Sequence, residues 1–363
     1  MKKIIALLLA LVMVFALVAC ASKTEAPAEE TKTETAATET ATEEKTEQTT
    51  EEPAAETAAP ADFKVGFIML HDENSTYDLN FINGAKEAAE ALGVEYVIKT
   101  NVPEGQECYD AAADLADAGC NIVFADSFGH EDYMIQAAKE FPDVQFCHST
   151  GTKAHTENLA NYHNAFASIY EGRYLAGIVA GMKLNEMIEA GQFTADEAKI
   201  GYVGAYNYAE VVSGYTAFFL GVQSVYPDVQ MEVMYTNSWF DIDKEGAAAE
   251  ALIANGAVII GQHADSTGAP AATQKLKDSG KICYSIGYNI DMLDTAPTAA
   301  LTSATNVWKV YYKELFEGAQ AGSIPQDWCK GYEDGAVAIT DLGPECADGT
   351  AEKVAEVEAA LKD

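Results

Sequence analysis

The chain has 363 residues, of which 48% are hydrophobic and 22% charged. That apolar share supports a large core and excludes wholesale disorder. Acidic residues number 57 against 22 basic ones, a net charge of −35. This excludes the broad electropositive face that nucleic acid requires, and it disfavours anionic ligands unless one pocket is locally basic.

The chain opens with Met1-Lys2-Lys3, followed by an almost wholly apolar run from Ile4 to Val18, then Ala19 and Cys20. The run falls short of the roughly 20 apolar residues of a transmembrane helix and fits a secretory signal. Leu17-Val18-Ala19-Cys20 resembles the bacterial lipobox. That resemblance implies cleavage before Cys20 and lipid on its thiol; the alternative is an ordinary signal or anchor in which Cys20 is incidental. Several acyl chains on one cysteine would anchor more firmly than a single chain. Residues 21–62 are nearly all Ala, Thr, Glu, Lys and Pro, with no aromatic and no Leu, Ile, Val or Met. Such a stretch cannot offset its ordering entropy by burial and is expected to be a solvated tether. The tether carries −9 and the first twenty residues +2, so the body from residue 63 onward holds about −28.

Within that body, strand-length apolar runs recur at 64–70, 95–99, 121–125, 144–148, 199–204, 230–235, 257–261 and 281–287. Helix-length stretches with apolar spacings of three and four separate most of them, at 79–92, 109–118, 133–140, 212–225, 244–254 and 271–279. This is βαβ repetition and predicts parallel sheets covered on both faces. The repetition pauses at 158–191, where Asn161–Asn164 reads as a connecting strand and 165–188 as a long helix rich in small residues. The fold class expected is α/β with two Rossmann-like halves and a ligand cleft between them, closing by a hinge. The N-terminal lobe is assigned 63–163 plus about 290–322, and the C-terminal lobe 164–289 plus about 330–345. A helical tail is expected over 346–363.

Cys120, Cys147 and Cys283 lie in or beside apolar runs and read as buried strand residues. Cys108, Cys329 and Cys346 remain, and export permits a disulfide, with Cys329–Cys346 the most plausible pair. No Cys or His spacing suggests metal or redox work. There is no phosphate loop, no Gly-x-Ser-x-Gly elbow and no His-Glu-x-x-His. Asp241-Ile-Asp243-Lys-Glu245-Gly246 mimics the start of a calcium loop, but position twelve is Leu252 where a Glu is needed. No catalysis, metal or cofactor is expected.

Several longer words in fixed order carry a resemblance: Ser127-Phe128-Gly129, Glu171-Gly172-Arg173-Tyr174-Leu175-Ala176-Gly177, Asn237-Ser238-Trp239-Phe240-Asp241, Gln262-His263-Ala264-Asp265-Ser266, Gly287-Tyr288-Asn289 and Tyr311-Tyr312. The chain resembles the basic membrane protein (BMP) family over essentially all of 63–340. These are substrate-binding lipoproteins of ABC transporters, often associated with purine nucleosides and bases. The resemblance implies two lobes of the type I periplasmic-binding class, a permease partner and an extracytoplasmic, lipid-anchored location; a monomer is expected. The first loop, His71–Tyr77, departs from the family's Gly-Asp-x-Gly pattern. Asn306-Val307-Trp308-Lys309-Val310 likewise stands where a subgroup has Trp-Asn-Trp-Gly-Pro.

The residues agree with a flat heterocyclic ligand. Ser127–Gly129, Gln262–Ser266 and Gly287–Asn289 each follow a strand, where a parallel sheet opens toward its cleft. Tyr77, Phe128, Trp239 and Trp308 are candidate stacking plates, each contributing about 1–3 kcal/mol if it faces a base. Asn74, Asp265 and Asn289 are candidate polar contacts, Ser127 belongs to the same loops, and His263 is the histidine nearest the expected cleft. Asp265 also reads as a helix cap. The alternatives are a same-fold binder of a sugar or furanose signal, with more hydroxyl-reading groups and fewer plates, and a surface interaction protein, which would need an exposed apolar patch.

Overall fold

A computed structural model describes residues 63–362; Cys20, the signal and the tether lie outside them. In chain order the first half runs β1 (Lys64–Ile68), α1 (Thr76–Leu92), β2 (Glu95–Lys99), α2 (Gln106–Asp117), β3 (Ile122–Ala125), α3 (Glu131–Glu140), β4 (Gln145–Ser149), the single turn α4 (Ala154–Glu157), β5 (Tyr162–Ala167) and the long α5 (Ile169–Glu189). The second half runs β6 (Lys199–Gly204), α6 (Ala209–Val225), β7 (Gln230–Tyr235), α7 (Ile242–Ala254), β8 (Ile259–His263), α8 (Gly268–Asp278), β9 (Tyr284–Tyr288), β10 (Ala300–Asn306), α9 (Trp308–Ala321), β11 (Asp327–Lys330), β12 (Val337–Ile339) and α10 (Thr350–Leu361).

Two six-stranded sheets result, ordered β11-β5-β4-β3-β1-β2 and β12-β10-β9-β8-β6-β7. Every pairing is parallel except β10 with β12. The central strands β3 and β8 are buried along their whole length, because helices cover both faces of each sheet. In the N-terminal lobe the core is aromatic: Phe81 stacks on Trp308 at 4.2 Å and Phe67 meets Tyr312 edge-on at 5.3 Å. In the C-terminal lobe α5 packs tightly on α6. A Cβ on Gly177 would lie 2.3 Å from the Phe218 carbonyl oxygen, and one on Gly221 would lie 2.2 Å from that of Tyr174. The small residues of α5 therefore serve backbone approach between two helices of one lobe.

The sheets divide the chain differently from the sequence expectation. β10, expected in the N-terminal lobe, pairs with β9 in the second sheet. β5 lies wholly in the first sheet, so a boundary at 163 would cut through it. β11 joins β5. The chain thus crosses between lobes three times: at Ser168, at Val307 and over 331–336. These crossings are laced together, since Ser168 N–H donates to the Lys330 carbonyl at 2.8 Å and Val307 N–H to that of Ala336 at 2.8 Å. Cys329 and Cys346, the pair that the sequence left open as a disulfide, are both free, as are the four buried cysteines.

Candidate functional site

The loops that leave the C-terminal edges of β1, β3, β4, β6, β8 and β9 converge between the lobes. Together with the loop after β7, which carries Trp239, they are placed in part by two helix caps. Ser75 caps α1, its Oγ accepting from the Asp78 N–H at 3.2 Å. Asp241 caps α7, accepting from the Lys244 N–H at 3.0 Å. The two lobes touch where the start of α1 meets the loop after β8. The Thr76 N–H donates to the Asp265 carbonyl at 2.7 Å, and the Thr76 hydroxyl to the same oxygen at 3.1 Å.

A small inner pocket of about 20 Å³ is lined by Tyr77, Asp78, Phe128, Trp239, His263 and Asp265, among others. That is room for a water or so. A wider, mainly apolar cavity of about 600 Å³ adjoins it, and both share Phe128, Thr150, Glu210 and Trp239. The larger volume lies within the range of small-molecule sites. Phe128 in the first lobe is 42% exposed and meets Tyr208 of the second at 5.5 Å. Tyr208 in turn stacks on Tyr206 at 5.2 Å, and Tyr206 meets Trp239 edge-on at 5.0 Å. One aromatic ring thus faces a cluster of three across the cleft.

The polar groups of the cleft are dominated by carboxyls. Asp265 is buried, yet its carboxyl has no hydrogen-bond or ion-pair partner among the described residues, while its backbone is held by Trp239 and Thr76. Burial pushes its pKa well up, and the neighbouring charges of Asp78, Glu245 and Glu210 add to that, against Arg173. Asp126 is raised well above the usual range by burial and by Asp78. Burial also acts on Asp78, but hydrogen bonds from His71, Asp126 and Ser75 outweigh it and hold Asp78 low. Glu210 sits 3.2 Å from His263 Nε2. Burial opposes its ionisation, but His263 and Arg173 hold it low. Burial and Arg173 lower His263, which fits a neutral ring donating its Nε2–H to Glu210. Beneath them lies Arg173, the only arginine in the sequence. Its guanidinium lies 4.0 Å from the centre of the Tyr288 ring, and its Nη1 donates to the Tyr202 hydroxyl and the Gln262 carbonyl.

Of the sequence candidates, Tyr77, Ser127, Phe128, Trp239 and Asp265 line the inner pocket, together with His263. Three do not. Trp308 is buried in the N-terminal core against Phe81, so the expectation of a plate is corrected: the ring is core packing. Asn74 is exposed on the α1 entry loop, where its side chain donates to Asp72 at 2.7 Å. Asn289 is buried behind the cleft, its Oδ1 accepting from Asn80 at 3.4 Å. Residues not singled out in the sequence reading but present at the pocket are Asp78, Glu210 and Thr150, while Tyr288 lies there within the Gly287–Asn289 loop expected to face the cleft. Asp78 and Glu210 belong to the first turns of their helices.

The family model described as ABC transporter substrate-binding protein, PnrA-like, matches residues 67–360. The chain belongs to this family. It is an ABC transporter substrate-binding protein, and its family acts outside the cytoplasm. A purine-binding protein of Brucella abortus (strain 2308) is 39% identical over 70% of this chain and 68% of its own length. A putative ABC transporter glucose-binding protein of Haloferax volcanii is 33% identical over 67% of this chain, which spans 57% of that relative's length. Among solved structures, a solute-binding protein from Aeropyrum pernix K1 aligns with a TM-score of 0.71 at 18% identity, over 83% of this chain and 91% of its own. A galactofuranose-binding protein aligns with a TM-score of 0.55 at 15% identity, over 83% of this chain and all of its own. Both share the two-lobed α/β fold. No helix among the described residues is long and apolar enough to cross a membrane.

Proposed function

We propose that this family member captures a purine nucleoside or base and delivers it to a membrane permease, held to the membrane by lipid on Cys20. The observation that carries the ligand class is the opposition of Phe128 to the Trp239, Tyr206 and Tyr208 cluster, with the unpartnered Asp265 carboxyl at the same pocket. Flat faces suit a heterocycle, and a buried carboxyl gains a partner only from ligand N–H or hydroxyl donors. The name of the Brucella relative supports the same reading. The ligand enters with the lobes apart, and closure brings Thr76 onto the Asp265 carbonyl. Entry requires Phe128 to separate from Tyr208, since the inner pocket as it stands does not fit a ring. Calorimetric titration with adenosine, guanosine, inosine, adenine, ribose and glucose tests this. One or more purines should bind at micromolar affinity or tighter, near −8 kcal/mol. Purines weaker than millimolar would overturn it.

A sugar is the second reading, favoured by the Haloferax relative's printed name and by the carboxylates of the cleft, which accept well from hydroxyls. Glucose or ribose binding more tightly than every purine would establish it. The membrane anchor is tested separately: labelled fatty acid should enter the wild type and not Cys20→Ser.

A further inference from the structure

Phe128 is an exposed ring with little behind it, so its position depends on its backbone turn. That turn, Phe128–His130, is a single 3-10 turn. The carboxylate of Glu104, on the loop before α2, closes over it. Its Oε1 accepts from the Ser127 hydroxyl at 2.6 Å and from the Gly129 N–H at 3.0 Å. One oxygen therefore holds the residues on either side of Phe128. The approach is so close that a Cβ on Gly129 would lie 2.4 Å from the Glu104 carboxyl carbon and would displace the carboxylate. From the inner side His148 Nε2 donates to the Ser127 carbonyl at 2.6 Å, and the His130 N–H donates to the same carbonyl at 2.9 Å. The turn is thus clamped between a buried anchor and an exposed one. The exposed anchor is a charge-assisted acceptor, the stronger kind of hydrogen bond. Glu104 is absent from the linings of both cavities, so its route to the ligand runs through the turn.

We propose that Glu104 is a positioning residue that fixes the Phe128 ring for stacking on the ligand. The proposal rests on the reading of Phe128 as a plate, and it is tested by a double-mutant cycle with the tightest-binding purine of the titration panel. Glu104→Ala weakens binding by about tenfold, inside the range for loss of a base-stacking side chain. Glu104→Gln, whose amide oxygen still accepts both hydrogen bonds, restores affinity. In a Phe128→Ala background Glu104→Ala costs nothing further. Melting curves of each variant separate these losses from unfolding. A ligand-free readout runs in parallel: 4-fluorophenylalanine at position 128 gives one sharp fluorine resonance in the wild type and in Glu104→Gln, and a shifted or averaged one in Glu104→Ala.

An unchanged affinity in Glu104→Ala alongside a weakened Phe128→Ala overturns the positioning role and leaves the plate intact. Equal losses from Glu104→Ala in both backgrounds also overturn it, because Glu104 then acts by another route. If Phe128→Ala binds like the wild type, the plate reading itself fails, and the positioning role with it. If no purine binds, the fluorine spectra decide alone, and one sharp resonance in all three proteins sinks the proposal.

Discussion

Phe128 and Trp239 differ from Trp308 in what their rings touch, and the difference separates binding from folding. Phe128 and Trp239 line the cleft, whereas Trp308 is 2% exposed and stacks on Phe81. Phe128→Ala and Trp239→Ala should each raise the dissociation constant of a bound purine about 5–150-fold, the equivalent of about 1–3 kcal/mol. Trp308→Ala should instead lower stability by about 3–5 kcal/mol and leave the affinity of the folded fraction unchanged. Calorimetry together with urea melts resolves the two. Asp265 makes the opposite trade. Its pKa is raised in the folded state, so its contribution to stability is full below the unfolded value, about 3.9. That contribution is lost as pH rises through the folded value. Ligand-free Asp265→Asn should therefore melt with the wild type near pH 4 and above it at pH 7, while binding the ligand more weakly. An Asn variant less stable than the wild type at neutral pH would mean that the carboxyl has a partner.

Among the elements, the central parallel strands were legible because both their faces are buried, whereas the short edge strand β11 was missed. Runs such as Ile122–Ala125 are continuously apolar, and no other element of that length is. β10 was missed for the complementary reason: Ala-Leu-Thr-Ser-Ala-Thr-Asn carries one large apolar residue, and the Thr302 hydroxyl donates to the carbonyl of Thr340, one residue past β12. Missing that strand displaced the lobe boundary. Six helix starts read two or three residues late, α1 from Leu79 rather than Thr76 and α6 from Val212 rather than Ala209, while the long α5 read four residues early, from 165 rather than Ile169. First turns mix polar, small and apolar residues, so apolar periodicity does not mark them. In this fold the first turns face the cleft, which is why Asp78 and Glu210 escaped notice while the loop words around Phe128 and Asp265 did not. The glycines of α5 and α6 give the test at this scale. Gly221→Val should push the helices apart and cost at least about 1–3 kcal/mol in overpacking, read as a lower urea midpoint. The same substitution at Gly93, whose positive φ of 67° ends α1 with open space around it, strains the backbone without any clash.

Across the whole molecule, the body's charge of about −28 sets behaviour that no single contact explains. Like charges repel most in the compact state, and salt screens them over about 10 Å at 0.1 M. The melting temperature should accordingly climb between 10 and 150 mM sodium chloride (about 30 to 8 Å of screening length), at unchanged pH. A flat response would mean that the local pairs, such as Lys199 with Glu232 and Lys330 with Glu314, balance the excess.

The three crossings between the lobes have a mechanical consequence. A single strap between two bodies permits bending, twisting and sliding alike. Here the third crossing is stitched to the first through Ser168 and Lys330, and to the second through Val307 and Ala336. Tyr332 of that third segment donates its N–H to the Glu171 carboxylate at the start of α5, and Gly331 lies so near that a Cβ would fall 2.3 Å from the same oxygen. Torque applied to one crossing is therefore shared by all three. Twist and slide strain several backbone hydrogen bonds together, whereas rotation about the line joining the crossings strains few. The bundle should therefore act as a leaf spring with one soft axis. Whatever ligand the cleft accepts, the lobes should part along that one axis, and the aromatic faces with them along the same path each time.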